Sequence, residues 1–537
     1  MSGNKSTDLI DRMAEEARRG RLSRRDFMQF AVAAGVAAST ASGLWTSKVA
    51  QAAPQKGGTF KLGKGHGQTT DTMNPGTAEN GYMVNLLQTF HGYLTEVARD
   101  GSLTPGVAES WEPADGGKTW VFDLRKGMTF HNGKDVTPED VIASVNHHRG
   151  EDSTSAAKPL LAALTDVRAD GDSRVVFELE AGNADFPFVM SDYHIPIGMS
   201  EDGAVDWKTG IGCGAYRLDN FEPGVRSDLS RYEDHWDLNN RAFFDSAEII
   251  AVTDTNARTS GFITGDFDAI DRMDLKTVDR IKQNAGVNVH SVPGTQHFTF
   301  EMMCDVDPYT DVNLRLALKW AINRQELVDK ILFGYGAVGN DHPIGQGQRF
   351  YNSEMEQREY DPDKARHYLK KAGMENVSVE LLAADAAFAG AVDAATLYQN
   401  SAREAGIDIT PVRVPNDGYW TDVWNVKPFV AVYWSGRPVE DLMFSTAYQS
   451  GVPWNGTKWS NERFDELLIA ARAELDTEKR KAMYYEMQEI LSNDGGLIAP
   501  MFASYVFGTR DKVGLPETFA SNWDMDGERC VERWWFS

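Results

Sequence analysis

The sequence predicts an α/β protein whose domains form lobes around a cleft. At 537 residues the chain is too long for one simple core, so two or three domains are expected. Residues 310–490 alternate helix and strand patterns, which is typical of an α/β domain. Residues 97–215 are richer in strand patterns. Two unlike regions in one chain indicate separate lobes.

Composition places the chain among globular proteins and narrows its partners. Apolar residues make up 42% and charged residues 25%, with a mean hydropathy of −0.42, and no apolar run after the N-terminal region could span a bilayer. The net charge of −25 argues against a nucleic-acid-binding surface, which needs clustered Lys and Arg. The three cysteines (Cys213, Cys304 and Cys530) lack a CxxC spacing, so we expect no zinc site. One disulfide between two of them stays open.

The N-terminus has the pattern of an export signal. Residues 23–25 read "SRR", an Ala/Gly-rich, mildly apolar segment follows, and "VAQA" at 49–52 fits a small-x-small cleavage rule. We expect a twin-arginine signal peptide at 1–52, cleaved after Ala52. The alternative, a basic amphipathic helix, fits the polar "APQKGG" that follows less well.

The elements can be assigned in order along the chain. Thr137, Pro138 and Asp140 predict a capped helix start, and Asp361-Pro362 predicts another that ends at Gly373. Strands are predicted at 57–65, 174–180, 376–384 and 407–414, with two more over 118–136 joined by a turn at Lys126-Gly127; helices are predicted at 310–332 and 394–406.

One further stretch raises a question of function. The run "PFVAVY" (428–433) reads as a buried strand, and "WSGRPVED" (434–441) follows it. Both signs of charge therefore stand at the end of a buried strand, beside an aromatic ring. The stretch is either an ordinary loop or a pocket for a small molecule that carries both charges.

Four blocks of sequence resemble one family. They are "VAESWEPADGGKTWVFDLRKGMTFHNGKDVTPEDVIASVN" (107–146), "GIGCGAYRLDNFEPG" (210–224), "DVNLRLALKWAINRQELVDKILFGYGAVGNDHPI" (311–344) and "YDPDKARHYLKKAG" (360–373). In this order they resemble the family 5 extracellular solute-binding proteins, the peptide, opine and nickel receptors of ABC importers. Cys213 and Ala215 depart from the usual residues of the second block.

The resemblance implies a two-lobed periplasmic-binding-protein fold of type II, with an extra small domain in the first lobe. Similar proteins bury their ligand when the lobes close about a hinge. The implied division is 1–52 signal peptide; 53–96, 216–302 and 498–537 first lobe; 97–215 extra small domain; and 303–497 second lobe.

The resemblance also places the charged stretch at the cleft. An acidic residue there would pair with the ligand's ammonium group, and the candidates are Asp441 and Glu440. Arg437 would take a carboxylate in a bidentate geometry. Tyr433 and Trp434 would supply flat walls. For Glu440 the alternative is a solvent loop in which it pairs with the arginine.

Other candidate ligand-binding residues come from four segments (74–96, 295–311, 416–424 and 450–468). The aromatic candidates have an alternative role, which is packing within a lobe. In the crossing strand at 295–311, the inward positions are Phe298 or His297, and Glu301 or Met303. The candidates are Trp454, Asn455, Tyr419 and Trp420 in the second lobe, Asn80, Gly81 and Tyr82 in the first lobe, and Phe298 in the crossing strand.

The resemblance thus predicts the periplasmic, monomeric substrate-binding component of an ABC importer, which works with an inner-membrane permease and its ATPase. The predicted ligand is a small zwitterion, a dipeptide or short oligopeptide, with an opine, another amino-acid conjugate, an oligosaccharide or a metal chelate as alternatives. No GxSxG elbow and no GxGxxG after a strand is present. We therefore expect no enzyme activity, cofactor or resident metal, and keep an exported cofactor-dependent enzyme as the distant alternative.

Overall fold

A computed structural model describes residues 54–416, 418–437 and 439–537. The predicted signal peptide and its cleavage site lie outside these residues. The helices are Gly81–Phe90 (α1), Pro138–Asn146 (α2), Phe186–Val189 (α3), Thr255–Thr264 (α4), Val278–Ile281 (α5), Val312–Trp320 (α6), Arg324–Ile331 (α7), Pro362–Lys371 (α8), Ala391–Arg403 (α9), Glu440–Ala447 (α10), Glu462–Ala473 (α11), Thr477–Asp494 (α12) and Cys530–Arg533 (α13). Short 3₁₀ helices lie at Pro75–Thr77, Asp115–Gly117, Lys158–Leu161 and Trp207–Thr209, a π-helical turn lies at Tyr419–Val423, and an irregular turn lies at Asp524–Gly527.

The strands form one large sheet and four small ones. The large sheet contains Thr59–Lys64 (β1), Tyr216–Glu222 (β10), Arg226–Arg231 (β11), Ser246–Ala251 (β12), Ala269–Ile270 (β13), Val287–Met302 (β14), Gly336–Val338 (β15), Val377–Ala383 (β16), Ile407–Arg413 (β17), Phe429–Trp434 (β18) and Leu497–Arg510 (β19). The small sheets contain Thr95–Val97 (β2) with Leu103–Pro105 (β3), Ala108–Ala114 (β4) with Thr119–Leu124 (β5), Leu164–Ala169 (β6) and Arg174–Leu179 (β7), Ser200–Glu201 (β8) with Ala204–Val205 (β9), and Val513–Gly514 (β20) with Trp535–Phe536 (β21).

Two long antiparallel strands join the two halves of the large sheet. Its order is β10-β11-β12-β1-β13-β19-β14-β18-β16-β17, so β19 and β14 occupy the centre. Their register shifts between Pro293 and His297, and a Cβ at Gly294 would overlap the carbonyl oxygen of Ala503. Such irregular, close-packed positions are where a strand pair can change direction.

Each part of the molecule has its own apolar core. Phe60, Leu86 and Trp534 belong to the core of the first lobe, so the C-terminal segment returns to the lobe that contains β1. Phe122 and Phe177 belong to a separate core beneath the sheet β4-β5-β7-β6, which lies within the range predicted for the extra small domain. The second-lobe core gathers apolar residues from β14, α6, β16, α9, β18 and α12.

Local signals predicted most of these elements. Thr137 and Asp140 form the predicted capping box, and the Asp361 side chain accepts a hydrogen bond from the Lys364 N–H at the start of α8. Two predictions are wrong in detail. After β5 the stretch 118–136 contains a turn and a single bridge between Thr129 and Asp135 rather than a second strand. The helix predicted at 310–332 is two helices, because the chain leaves the helical path after Trp320 and Asn323 caps α7 afresh.

Two further observations bear on the sequence predictions. Cys213, Cys304 and Cys530 are all free thiols, so none of them forms the disulfide that the sequence left open. Within the part of the chain that the structure describes, no helix combines the length and the apolarity needed to cross a membrane.

Candidate functional site

The loop after β18 carries an arginine that has no acidic partner among the described residues. Arg437 Nη1 donates only to the carbonyl oxygens of its own loop, at 3.1 Å to Ser435 and 3.3 Å to Gly436. The loop lies against β14 so tightly that a Cβ at Gly436 would overlap the side chain of Thr295. Burial lowers the pKa of the guanidinium, and the phenol of Tyr193 opposes that effect. A half-buried cation is thereby held in place without a counter-charge.

Arg437 faces a pocket between the lobes. The small domain and the C-terminal segment contribute Phe188 and Asn522 to its lining, the crossing strand contributes Thr295, and the second lobe contributes Arg349 and Arg437. Residues from both lobes therefore surround the guanidinium. This is the arrangement that a ligand needs if it is to be enclosed by lobe closure.

The two acidic residues that follow Arg437 are already paired, although Glu440 lines the same pocket as Arg437. Asp441 accepts from Arg472 Nε at 3.1 Å, and Glu440 Oε1 accepts from the Phe350 N–H at 2.8 Å. Arg349 Nη2 lies 3.9 Å from Glu440 Oε2. Both carboxylates are nearly fully buried. Both acids are therefore engaged by protein donors in this conformation.

These acids belong to a buried charge network between the small domain and the second lobe. Asp185, which precedes α3, accepts from Arg349 at 2.8 Å and from Arg480 at 3.0 and 2.5 Å. The network thus sets three carboxylates (Asp185, Glu440 and Asp441) against three guanidiniums (Arg349, Arg472 and Arg480). Because the formal charges balance, the network needs no ligand to neutralise it.

The pKa values of the network follow its geometry. Burial alone would raise the pKa of Asp185, but the guanidiniums of Arg480 and Arg349 hold it below its ordinary value. Burial raises the pKa of Asp441 to about 6, against the opposing effect of Arg472. Burial also raises the pKa of Glu440, opposed by Arg349 and the Phe350 N–H. The pairing at Asp185 is therefore the strongest in the network.

Five aromatic side chains form a continuous cluster beside the same loop. Ring centroids lie 5.5 Å apart for Trp420 and Tyr433, 5.8 Å for Trp420 and Trp424, 6.1 Å for Trp424 and Trp434, and 6.2 Å for Trp424 and Trp454. Trp420, Tyr433 and Trp454 are 40%, 38% and 51% exposed, which is high for side chains of this size. We call the five residues Trp420, Trp424, Tyr433, Trp434 and Trp454 the aromatic wall.

A buried carboxylate lies behind the aromatic wall. Glu301 of β14 is 2% exposed, and its two oxygens accept the indole N–H groups of Trp434 at 2.8 Å and Trp424 at 3.3 Å. Burial raises the pKa of Glu301 to about 7, and the two indole hydrogen bonds and Lys458 oppose that rise. Unlike the acids of the charge network, Glu301 has no cation within ion-pair distance in the described part of the chain.

The remaining second-lobe candidates have local roles. The Tyr419 hydroxyl donates to the Ala431 carbonyl oxygen at 2.7 Å, inside the core. Asn455 Nδ2 donates to the Trp459 carbonyl oxygen at 2.8 Å and is also buried. Phe298 is half-buried and stacks on Phe388 at 4.4 Å between ring centroids.

The first-lobe candidates lie at the start of α1. Asn80 caps this helix, its side chain accepting from the N–H groups of Tyr82 and Met83, and the Gly81 N–H donates to His66 Nδ1 at 3.1 Å. Tyr82 is fully buried, with its hydroxyl 2.6 Å from Ser227 Oγ. Its side chain cannot contact a ligand in this conformation.

Metal binding finds no support in the residues that the structure describes. No group of three or more His, Cys, Asp or Glu side chains converges there in a way that could hold an ion. The paired His147 and His148 accordingly contact other groups: His147 Nε2 lies 2.8 Å from Asn74 Oδ1, and His148 Nδ1 lies 2.7 Å from Ser155 Oγ.

Comparison with known proteins decides the family. The family model described as "Bacterial extracellular solute-binding proteins, family 5 Middle" matches residues 102–456, more than half of the chain. This chain belongs to that family. Members of family 5 are transport receptors, which confirms the prediction that the protein is not an enzyme.

Individual relatives agree with the family assignment. The dipeptide-binding protein of Escherichia coli (strain K12) is 24% identical over 422 residues, which cover 72% of this chain and 78% of the relative. The structure of HbpA2 from Haemophilus parasuis is 19% identical and superimposes with a TM-score of 0.79 over 88% of this chain and 99% of that one. The unliganded open form of MppA, a periplasmic murein tripeptide binding protein, is 16% identical and also gives 0.79, over 90% and 98%. The predicted two-lobed fold is therefore confirmed.

Sequence reasoning missed several residues that lie around Arg437 and the aromatic wall in this family 5 receptor. Trp424 stands in the same "NDGYWTDVW" stretch as Tyr419 and Trp420, and its tryptophan-rich pattern was the available signal. For Glu301 the strand pattern predicts only an inward position in a packing strand. Tyr193 and Trp523, whose rings lie 5.5 Å apart, come from distant segments with no recognisable pattern.

Proposed function

We propose that this receptor captures a small solute that carries a carboxylate, a dipeptide or short oligopeptide in the simplest case, and delivers it to an ABC permease with its ATPase. The observation that carries the proposal is the unpaired Arg437 guanidinium in the pocket between the lobes. A carboxylate can accept two parallel hydrogen bonds from a guanidinium. An unpaired, partly desolvated cation is costly until such a partner arrives.

The state of the neighbouring acids refines the predicted zwitterion clamp. Asp441 and Glu440 are engaged by Arg472, Arg349 and the Phe350 N–H, so a ligand ammonium group would have to displace these partners. The proposal therefore gives the carboxylate end to Arg437 and leaves the two acids in the charge network. The peptide class is supported by relatives whose names state dipeptide and murein tripeptide binding.

Closure of the lobes would link ligand binding to delivery to the permease. The register shift between Pro293 and His297 interrupts the pairing of the two long central strands, and Tyr193 lies close enough to Arg437 to affect its pKa. A ligand can favour the closed form only through contacts that are better there. Hydrogen bonds from one ligand to both lobes would provide such contacts. The proposal includes a monomer that works in the periplasm after twin-arginine export, with the signal peptide removed after Ala52.

A second candidate ligand is an opine-like amino-acid conjugate or an oligosaccharide. The specific observation in its favour is the exposure of Trp420, Tyr433 and Trp454, because sugar rings and other flat groups stack on such faces. An opine would use both features, its carboxylate at Arg437 and its remainder on the aromatic wall.

A thermal-shift panel tests the proposal. The purified mature protein would be heated with dipeptides, longer peptides, opine-like conjugates, oligosaccharides and nickel chelates. A ligand that binds only the folded state raises the melting temperature. At a concentration of 100 times its Kd, it adds about 2.7 kcal/mol to the free energy of unfolding. We expect the carboxylate-bearing solutes to raise the melting temperature of the wild type, and Arg437→Ala to reduce that rise. Arg463→Ala, which removes an exposed arginine paired with Glu486, is the matched control. Stabilisation by neutral sugars alone would contradict the proposal.

A further inference from the structure

The aromatic wall combines exposed ring faces with a carboxylate that lacks a cation. We propose that the aromatic wall with Glu301 is a second subsite of the cleft, which binds a cationic, ammonium-type group of the solute. This inference rests on the proposed function, because it requires that the solute reaches the side of the second lobe on which both Arg437 and the aromatic wall lie.

The rings of the aromatic wall pack mostly edge to face. Trp424 contacts Trp420, Trp434 and Trp454 at interplanar angles of 74°, 75° and 81°. Edge-to-face packing of this kind turns neighbouring ring faces in different directions and leaves some of them free. The face of an aromatic ring carries partial negative charge, and a cation within about 6 Å of an indole centroid is attracted by it.

The charge of Glu301 is complementary to that of a cation. The donors that Glu301 meets are neutral indole N–H groups, which fix Trp434 and Trp424 in place. The titratable groups that face it from the surrounding elements are Lys458, Tyr419 and Tyr448. Lys458 is exposed and donates to Asn425 Oδ1, so it does not neutralise the carboxylate directly. A ligand cation on the ring faces would supply the missing charge from the solvent side.

Glu301 acts here as a positioning residue. A Cβ at Gly456 would overlap Glu301 Oε2, so the backbone covers the carboxylate and a ligand meets the rings instead. Its ionised form strengthens the field at those rings and orients both indoles. Cation binding should therefore be stronger above the pKa of Glu301, which lies at about 7, than below it.

The test follows the indole N–H signals of ¹⁵N-labelled protein by NMR, with each tryptophan assigned through its Trp→Phe variant. The probes are choline and 3,3-dimethyl-1-butanol, which have nearly the same shape but differ in charge. We expect choline at pH 8 to shift the signals of Trp454 and Trp424 saturably, and the alcohol to leave them in place. Trp111, which packs on Phe122 in the small domain, should respond to neither probe.

Two variants separate the outcomes. In Glu301→Gln the apparent Kd for choline should rise about tenfold at pH 8, because the negative charge behind the rings is removed while the rings stay in place, and its dependence on pH should disappear. Arg437→Ala should leave choline binding unchanged, which distinguishes a failure of this inference from a failure of the carboxylate site. Equal shifts from choline and the alcohol would identify a merely apolar patch, and no shift from either probe would mean no subsite. Either result would overturn the inference, as would choline binding that is the same at pH 5.5 and pH 8.

Discussion

Two groups of buried carboxylates in this receptor differ in their partners. In the charge network between the small domain and the second lobe, Asp185 and Asp441 are each paired with guanidiniums. Behind the aromatic wall, Glu301 accepts only from indole N–H groups. Burial is expensive for all of them, but only the network offsets it internally. The difference teaches that a balanced cluster holds domains together, while an unbalanced charge beside exposed rings is open to a ligand.

The largest effect is expected in the charge network. Arg480→Ala should lower the free energy of unfolding by about 3–5 kcal/mol, because Asp185 would stay buried with Arg349 as its remaining partner. Urea denaturation measures this. Arg463→Ala, at an exposed ion pair, should cost no more than about 1 kcal/mol. Equal losses in the two variants would remove the distinction between a buried network and a surface pair.

The next effect is the response of stability to pH at Glu301. Its pKa is about 7 in the folded protein against an ordinary 4.5, so between these values the folded protein keeps a proton that the unfolded chain has lost. The free energy of unfolding therefore falls as the pH rises through this window. The difference corresponds to on the order of 3 kcal/mol. Urea denaturation at pH 5 and pH 8 should show the wild type losing about that much more than Glu301→Gln. Parallel losses would mean that Glu301 titrates normally.

These charge relationships were only partly visible in the sequence. Capping residues such as Thr137 and Asp361 act within four residues, so the helices they start could be predicted. Arg437 could be singled out because a charge beside a buried strand is unusual. The pairing of Asp441 with Arg472 could not be predicted, since it depends on how α10 and α11 pack.

The role of Glu301 was hidden for a similar reason. Its two indole donors come from residues more than one hundred positions later, brought together by the pairing of β14 with β18 and by the turn at Tyr419–Val423. An alternating strand gives no sign of what its inward residues meet. The tryptophan-rich composition of 420–454 was the available hint.

A smaller effect is expected for ligand affinity at Arg437. Arg437→Ala should weaken binding of a carboxylate-bearing solute by about 1.5–3 kcal/mol, roughly 10- to 150-fold, the value of hydrogen bonds to a charged group. The melting temperature of Arg437→Ala without ligand should match that of the wild type, because the guanidinium has no acidic partner among the described residues and donates only to its own loop. Isothermal titration calorimetry with a hit from the panel measures the affinity. A loss of stability comparable to that of Arg480→Ala would mean that Arg437 stabilises the folded protein and is not held ready for a ligand.

The smallest effect is expected at Asp441. Asp441→Asn should change the affinity for the same solute by less than about threefold, because the carboxylate is engaged by Arg472 rather than free for a ligand. Calorimetry under identical conditions checks this. A loss of tenfold or more would restore Asp441 as the partner of a ligand ammonium group and would require Arg472 to move away on binding.

The most direct test of the carboxylate site compares one ligand in two chemical forms. A peptide from the panel and its C-terminal amide differ only in the group assigned to Arg437, so their affinities for the wild type and for Arg437→Ala form a cycle. The account predicts that the wild type prefers the acid by about tenfold or more and that Arg437→Ala binds the two forms alike. A preference for the acid that survives in Arg437→Ala would show that another residue takes the carboxylate, and would contradict the account.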